Sequence, residues 1–280
     1  MKFFKVNATP SRAVKIIVPW VLFVLFFMLY VRTADVRHKA NPKEKLTPKI
    51  SQMIDGFKRS VFDPETRDPD MVKEAEDKFR LAFDTYASLR RCFIALAIIF
   101  LGVVIGLNMG TLPYLELLLY RFVLFFDKTP ALAILPILFI VFGLGEVSKI
   151  ALIVIGVMPT IILDTYLRAK AFPRELITKA MTLGASHGEI VYRIVKPNIY
   201  PLVLDTIRLN FKAVFLFLIA GESLAATVGL GYRIFVIRRY VAMDIIIPYV
   251  LWISLIAFTA DLIVRVWINK RYRNRWLHNR

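Results

Sequence analysis

One cysteine, Cys92, and three scattered histidines, His38, His187 and His278, are all that 280 residues offer toward thiol or soft-metal chemistry. A lone thiol excludes an intramolecular disulfide framework, and no His/Cys group has zinc spacing, so no metal site is expected. A catalytic constellation is missing as well: there is no Ser/His/Asp arrangement and no pair of carboxylates sharing a site. Gly143-Leu144-Gly145 lies outside any strand-and-helix unit, so it implies no phosphate loop. Acids are sparse, 21 against 38 Lys and Arg, and are absent from the first fifteen and the last sixteen residues. The net charge of +17 does not point to nucleic acid, because the basic residues punctuate apolar runs instead of lining one polar face.

What the chain has in excess is hydrocarbon. At 58% hydrophobic residues and mean hydropathy +0.59 it is too apolar for a water-soluble domain of this size, where about half is usual. An all-α integral membrane protein of about six transmembrane helices is predicted. The apolar run over residues 16–31 follows four basic residues and is longer than a signal-peptide core, so it reads as an uncleaved anchor with its N-terminus inside. Residues 1–31 thus form a cytoplasmic N-terminus and first span. Residues 32–91 are polar, with 14 Lys/Arg and 11 Asp/Glu; being nearly charge-balanced, they fit the outside face. Within them, 70–91 places Met71, Ala75, Phe79, Ala82, Phe83 and Tyr86 at three- and four-residue steps, predicting an amphipathic helix on the membrane surface or against the spans.

Residues 92–268 hold five further spans, predicted over 92–109, 130–144, 150–167, 202–220 and 245–268, with a short amphipathic stretch over 113–126. Pro136 and Pro159 fall inside two of them, which membrane helices tolerate when neighbours satisfy the freed carbonyls. Residues 269–280 are a basic cytoplasmic tail, for which anionic lipid is a sufficient partner. Ionisable groups at membrane depth should face the bundle or a wet cavity. Glu222, beside a glycine-bearing segment with Gly229 and Gly231, has two readings: a group shaping a pathway, or a carboxylate tying that segment down through its backbone amides. Asp205, Arg208 and Lys212 can pair along one helix face, and Asp261 with Arg265 four residues on.

The polar stretch 172–201 separates two spans. Pro173 and Glu175 suit a helix start, Gly184 and Gly188 an ending. A second helical run, 189–195, is expected to stop at Lys196, ahead of Pro197. Ala180, three residues, Gly184-Ala185-Ser186, and then Ile194 and Pro197 stand at the spacing of the EAA loop of permeases in ATP-binding-cassette importers, which this stretch resembles. The front of the motif departs from the family, with Thr178 and Lys179 in place of its glutamate and first alanine, and Lys196 replaces a leucine. The run DKTPALAILPILFIVFGLGEVSKI, which includes Pro130 and Pro136, is similar to the branch importing nitrate, sulfonates and taurine.

That resemblance implies a permease fold of the type I importer class and a non-enzymatic transport role for a small anion. It implies two ATPase subunits carrying the ATP and Mg, with no cofactor on this chain, a second permease subunit (a homodimer) and an extracytoplasmic substrate-binding protein. It assigns coupling to Glu175, Thr178, Lys179, Ala180, Gly184, Ala185, Ser186, Ile194 and Pro197, and makes Pro130, Pro136, Glu222, Gly229 and Gly231 pathway candidates. Both termini would be cytoplasmic in a bacterial inner membrane. From another class, an ATPase-independent channel or scaffold fits the same apolar pattern.

Overall fold

The computed structural model describes residues 11–41, 46–62 and 80–276. Residues 70–79 of the predicted amphipathic helix and the end of the basic tail lie outside them. Among the described residues every element is helical: α1 (Arg12–Ala40), α2 (Ile50–Phe62), α3 (Arg80–Thr111), α4 (Pro113–Lys128), α5 (Ala131–Phe142), α6 (Glu146–Lys170), α7 (Arg174–Thr182), α8 (His187–Glu189), a π-helical turn (Ile190–Val195), α9 (Lys196–Leu209), α10 (Phe211–Ala225), α11 (Leu230–Arg238) and α12 (Met243–Trp276).

Three described helices, in α3, α6 and α12, are long and apolar enough to cross a bilayer. Two bent pairs join them: α4 with α5 at 99°, and the run from His187 to Ala225 with α11 at 56°. α1 carries the first apolar run, with Trp20, Phe23 and Phe26 exposed. These apolar units are compatible with a count of about six. Their outer faces are mostly hydrocarbon, Ile140, Leu251 and Phe258 among them, and surfaces of that extent are stable only in lipid or against another chain.

The centre is the seam between α3 and α6. Gly102, Gly106 and Gly110 recur every four residues on α3, and a Cβ on Gly106 would stand 2.4 Å from the Ile162 carbonyl oxygen. Small residues here let the two backbones approach, as membrane helices require when water does not drive their association. Ile99, Val103, Ile153, Val157 and Ile161 complete a core that α10 closes with Val214, Phe215 and Leu218.

Several sequence expectations are corrected. The predicted third span, 130–144, is only the 12-residue α5, sharply bent from α4; at about 1.5 Å per residue it is too short to cross alone. The helical run does not stop at Lys196. The Lys196 N–H bonds five residues back to the Val191 carbonyl, and this wider turn carries the ladder past the N–H that Pro197 lacks. Gly188 lies inside α8 and ends nothing. Asn210 divides the expected fifth span into α9 and α10. Asp261 pairs not with Arg265 but with Arg208 of α9, at 2.6 Å, while Arg208 also takes Asp205 at 2.7 Å.

Candidate functional site

Two constructions stand out, one at each end of the seam. The first is the polar segment after α6. Gly184, at φ +82°, closes α7: its N–H reaches the Met181 carbonyl at 2.9 Å and the Ala185 N–H reaches the Ala180 carbonyl at 3.0 Å. That double closure needs a residue in the left-handed region, where glycine carries no Cβ penalty. Two residues on, Ser186 opens α8 with a capping box. Its hydroxyl accepts from the Glu189 N–H at 3.3 Å, and the Glu189 carboxylate accepts from the Ser186 N–H at 3.1 Å. These Ser186 contacts, aided by Arg193 at 3.0 Å, hold the Glu189 carboxyl below its usual range.

The segment is seated on one side and free on the other. Ala180, Ile190, Val191 and Val195 are buried in the main core, with Ala185 and Ile194 partly so. Glu175, Leu176, Thr178, Lys179 and Leu183 are exposed, and Leu176, Lys179 and Leu183 share one face by their three- and four-residue spacing. Asn108 near the end of α3 donates to the Tyr192 hydroxyl at 3.0 Å, tying the π turn to the central seam. Pro197 sits in the first turn of α9.

The second construction is a buried knot of charge. α11 begins at Gly229 without a side-chain cap of its own, and its first amides are satisfied from other helices. The Gly229 N–H donates to Asp84 Oδ1 at 2.9 Å, the Leu230 N–H to Ser88 Oγ at 2.9 Å and the Gly231 N–H to Glu222 Oε2 at 2.8 Å. Carboxylates suit these positions, since orphan N–H groups and the positive end of the helix dipole meet there. Arg91 binds the knot together. Its Nη1 donates to Glu222 Oε1 at 2.6 Å and to the Val228 carbonyl at 2.9 Å, while Nε and Nη2 grip Glu146 at 2.6 and 2.8 Å. Lys149 adds a bond to Glu146 at 3.0 Å, and Arg233 one to Asp84 at 3.0 Å.

Three acids face three bases, so the cluster is neutral while Asp84, Arg91, Lys149 and Glu222 are all buried. Buried charges persist only when paired and hydrogen-bonded in this way. α3, α6, α10 and α11 are fastened as one block. Glu222, Gly229 and Gly231 are therefore brought together, whereas Pro130 caps α5 and Pro136 lies within it, both exposed and apart from the knot. Asp84, Ser88, Arg91, Glu146, Lys149 and Arg233 were not among the sequence candidates. Asp84, Ser88 and Arg91 fall at i, i+4 and i+7, which puts them on one helix face; that stripe was the available signal. Among the described residues no group of His, Cys, Asp and Glu could hold a metal ion.

The sequence profile of the family described as "Binding-protein-dependent transport system inner membrane component" matches residues 98–274. The chain is 31% identical over 180 residues to the taurine transport system permease protein TauC of Escherichia coli (strain K12), covering 64% of this chain and 66% of that protein, just under two thirds of it. It is 26% identical over 178 residues to a putative aliphatic sulfonates transport permease protein, SsuC, of Bacillus subtilis (strain 168), covering 63% of this chain and 64% of the relative. A putative permease of Methanocaldococcus jannaschii is 35% identical over 133 residues, 47% of this chain and 50% of the relative.

Proposed function

Because the chain belongs to the family of binding-protein-dependent transport system inner membrane components, and is thus a multi-pass permease subunit of an ATP-binding-cassette transporter, we propose that it forms the translocation pathway of an importer for a small anion and takes its drive from a cytoplasmic ATPase through the segment from Arg174 to Val195. The observation that carries this reading is the two-sidedness of that segment. Its inner side, Ala180, Ile190, Val191 and Val195, is part of the core, and its outer side presents Leu176, Lys179 and Leu183 with nothing upon them. A lever needs both: a face for the partner and a rigid connection to what must move. The capping box, the closure at Gly184 and the π turn hold its parts in a fixed relation.

In this reading two copies of the chain enclose the pathway, two ATPase subunits with ATP and Mg bind inside, and a substrate-binding protein delivers from outside. The partners and the anion class are supported by the family and by the names of the taurine and sulfonate transport relatives. The ATPase subunits closing on nucleotide would shift α7 and the π turn, and with them α9 and α3, biasing inward- against outward-open packings. The charge excess of residues 164–201 and of the C-terminal residues supports placing both on the cytoplasmic side.

The test is co-purification with the cognate ATPase, followed by ATP hydrolysis and taurine uptake in vesicles carrying the binding protein. Assembly with substrate-stimulated hydrolysis is expected. Anion flux without any bound ATPase would instead establish an ATPase-independent channel.

A further inference from the structure

At the 99° bend between α4 and α5 an open cavity of about 500 Å³ is lined by Arg121, Leu124, Phe125, Lys128, Thr129 and Pro130. Its depth follows from hydrogen bonds to α6. Thr160 donates to Asp127 Oδ1 at 2.8 Å, and Thr160 lies about 21 Å from the Glu146 end of α6 and about 15 Å from the Lys170 end at 1.5 Å per residue. Tyr166 donates to Glu116 at 2.6 Å, fixing the other end of α4 near the Lys170 end. As α6 is one of the long apolar helices, Asp127 and Lys128 stand near mid-bilayer, with Arg121 about two turns toward the Lys170 end.

Two cations of α4 face outward, Lys128 at this depth and Arg121 nearer the Lys170 end. The Lys128 side chain is 75% exposed even while it holds Asp127 at 2.9 Å. Arg121 is exposed and makes no ion pair among the described residues. Facing lipid at mid-bilayer, Lys128 would cost at least ~2.5 kcal/mol. The surface that carries them is accordingly wet, and in a membrane subunit the wet surface is the one enclosed with a second copy. Asp127 cancels one of the two charges, so the cavity keeps a net positive charge beside an apolar wall of Leu124 and Phe125.

We propose that Arg121 and Lys128 form an anion-binding station on the translocation pathway, holding the acidic group of a small organic anion such as an alkyl sulfonate while Leu124 and Phe125 meet its carbon chain. The assignment rests on the importer reading, and the experiment separates the two. The complete complex is reconstituted in vesicles of zwitterionic lipid, which removes lipid anions as the ligand. Phe125→Cys, an exposed cavity position between Arg121 and Lys128 that keeps both cations, is then treated with two thiol reagents of matched size, 2-sulfonatoethyl and 2-trimethylammonioethyl methanethiosulfonate; the lone native thiol, Cys92, is buried, so the wild-type chain is the blank.

The anionic reagent should react about tenfold faster than the cationic one, as focused positive potential requires, and adding Arg121→Gln should erase the preference. No reaction would place this wall against lipid, and equal rates would show water without an anion site; either overturns the proposal. In parallel, Arg121→Gln and Lys128→Gln should each cut ethanesulfonate uptake several-fold while binding-protein-stimulated ATP hydrolysis persists, and unchanged uptake would overturn it. A wild-type complex that imports no ethanesulfonate would refute the alkyl-sulfonate ligand, leaving the reagent rates to decide whether the station exists.

Discussion

Arg91 Nη1 lies 2.6 Å from Glu222 Oε1, a pair from α3 and α10 joined across 131 residues of chain, with the glutamate wholly buried. Such a pair is better judged by what its removal leaves behind than by its own attraction, because stripping one partner strands a charge in a low dielectric. Glu222→Ala leaves Arg91 short of an acceptor and the Gly231 N–H without one, and should lower stability by ~3–5 kcal/mol. Glu222→Gln keeps a carbonyl oxygen for one of these donors and should fall between. Thermal unfolding in detergent checks the order wild type, Gln, Ala; an Ala variant that melts with the wild type would refute the knot as a structural element.

Gly229 and Gly184 both have positive φ, yet their substitutions should fail differently. At Gly229, φ is +136° and an added Cβ would sit 2.6 Å from Glu222 Cδ, whereas at Gly184 φ is +82° and nothing lies within 4 Å. Gly229→Ala should thus disrupt the knot and sharply lower the melting temperature. Gly184→Val adds only local backbone strain, about 1–2 kcal/mol, at the end of α7. That variant should insert and fold while stimulated ATP hydrolysis and uptake fall. Equal melting of the two variants would contradict this contrast.

The contrast also shows what the sequence made legible. Helix content, apolar units and the turn at Gly184 follow from composition, run length and glycine position, all local signals. The knot was hidden because the apolar steps of the predicted amphipathic helix drew the reading to its other side: Phe83 and Tyr86 are exposed, and Asp84, Ser88 and Arg91 point inward. In lipid the apolar side of a helix gains nothing by leaving the outside, so the polar side is the one that seeks partners. The helix therefore runs unbroken from Arg80 to Thr111 across the expected boundary at 91/92. The tie between Asp261 and Arg208 was equally invisible, since i, i+4 spacing named Arg265 and only the packing of α9 on α12 supplies the real partner.

That tie makes its own prediction. Arg208 Nη1 meets Asp261 Oδ1 at 2.6 Å with both groups partly buried, so Asp261→Asn should loosen α12 from α9 by ~1–2 kcal/mol. Arg265→Gln should change the melting temperature little. The opposite ranking would restore the intrahelical pair.

Orientation is tested by charge. Cysteines placed at Lys45 or Asp68 should react with a membrane-impermeant reagent from outside, and one at the exposed Thr178 only from inside, because the basic excess of residues 164–201 marks the cytoplasmic face. External labelling at Thr178 would invert the topology and with it the coupling role.

Where the family has a glutamate and an alanine, this chain has Thr178 and Lys179 before the buried Ala180. Thr178 turns its hydroxyl back to the Arg174 carbonyl at 3.1 Å and is spent within α7. Lys179 is exposed between Leu176 and Leu183 on the outward face, the arrangement of a charge set in an apolar contact patch. The hypothesis is that Lys179 meets a carboxylate on the cognate ATPase, reversing the polarity of the pair that the family's glutamate would make. Desolvated by the two leucines, such a pair should couple by ~1.5 kcal/mol or more, whereas a rim pair would change little. Lys179→Glu should therefore weaken assembly about tenfold, read as the ATPase concentration needed to saturate hydrolysis, and an acid-to-lysine change on the ATPase should restore part of it. Thr178→Ala should leave assembly unchanged. If Lys179→Glu assembles and transports normally, Lys179 points into water and the reversed pair does not exist.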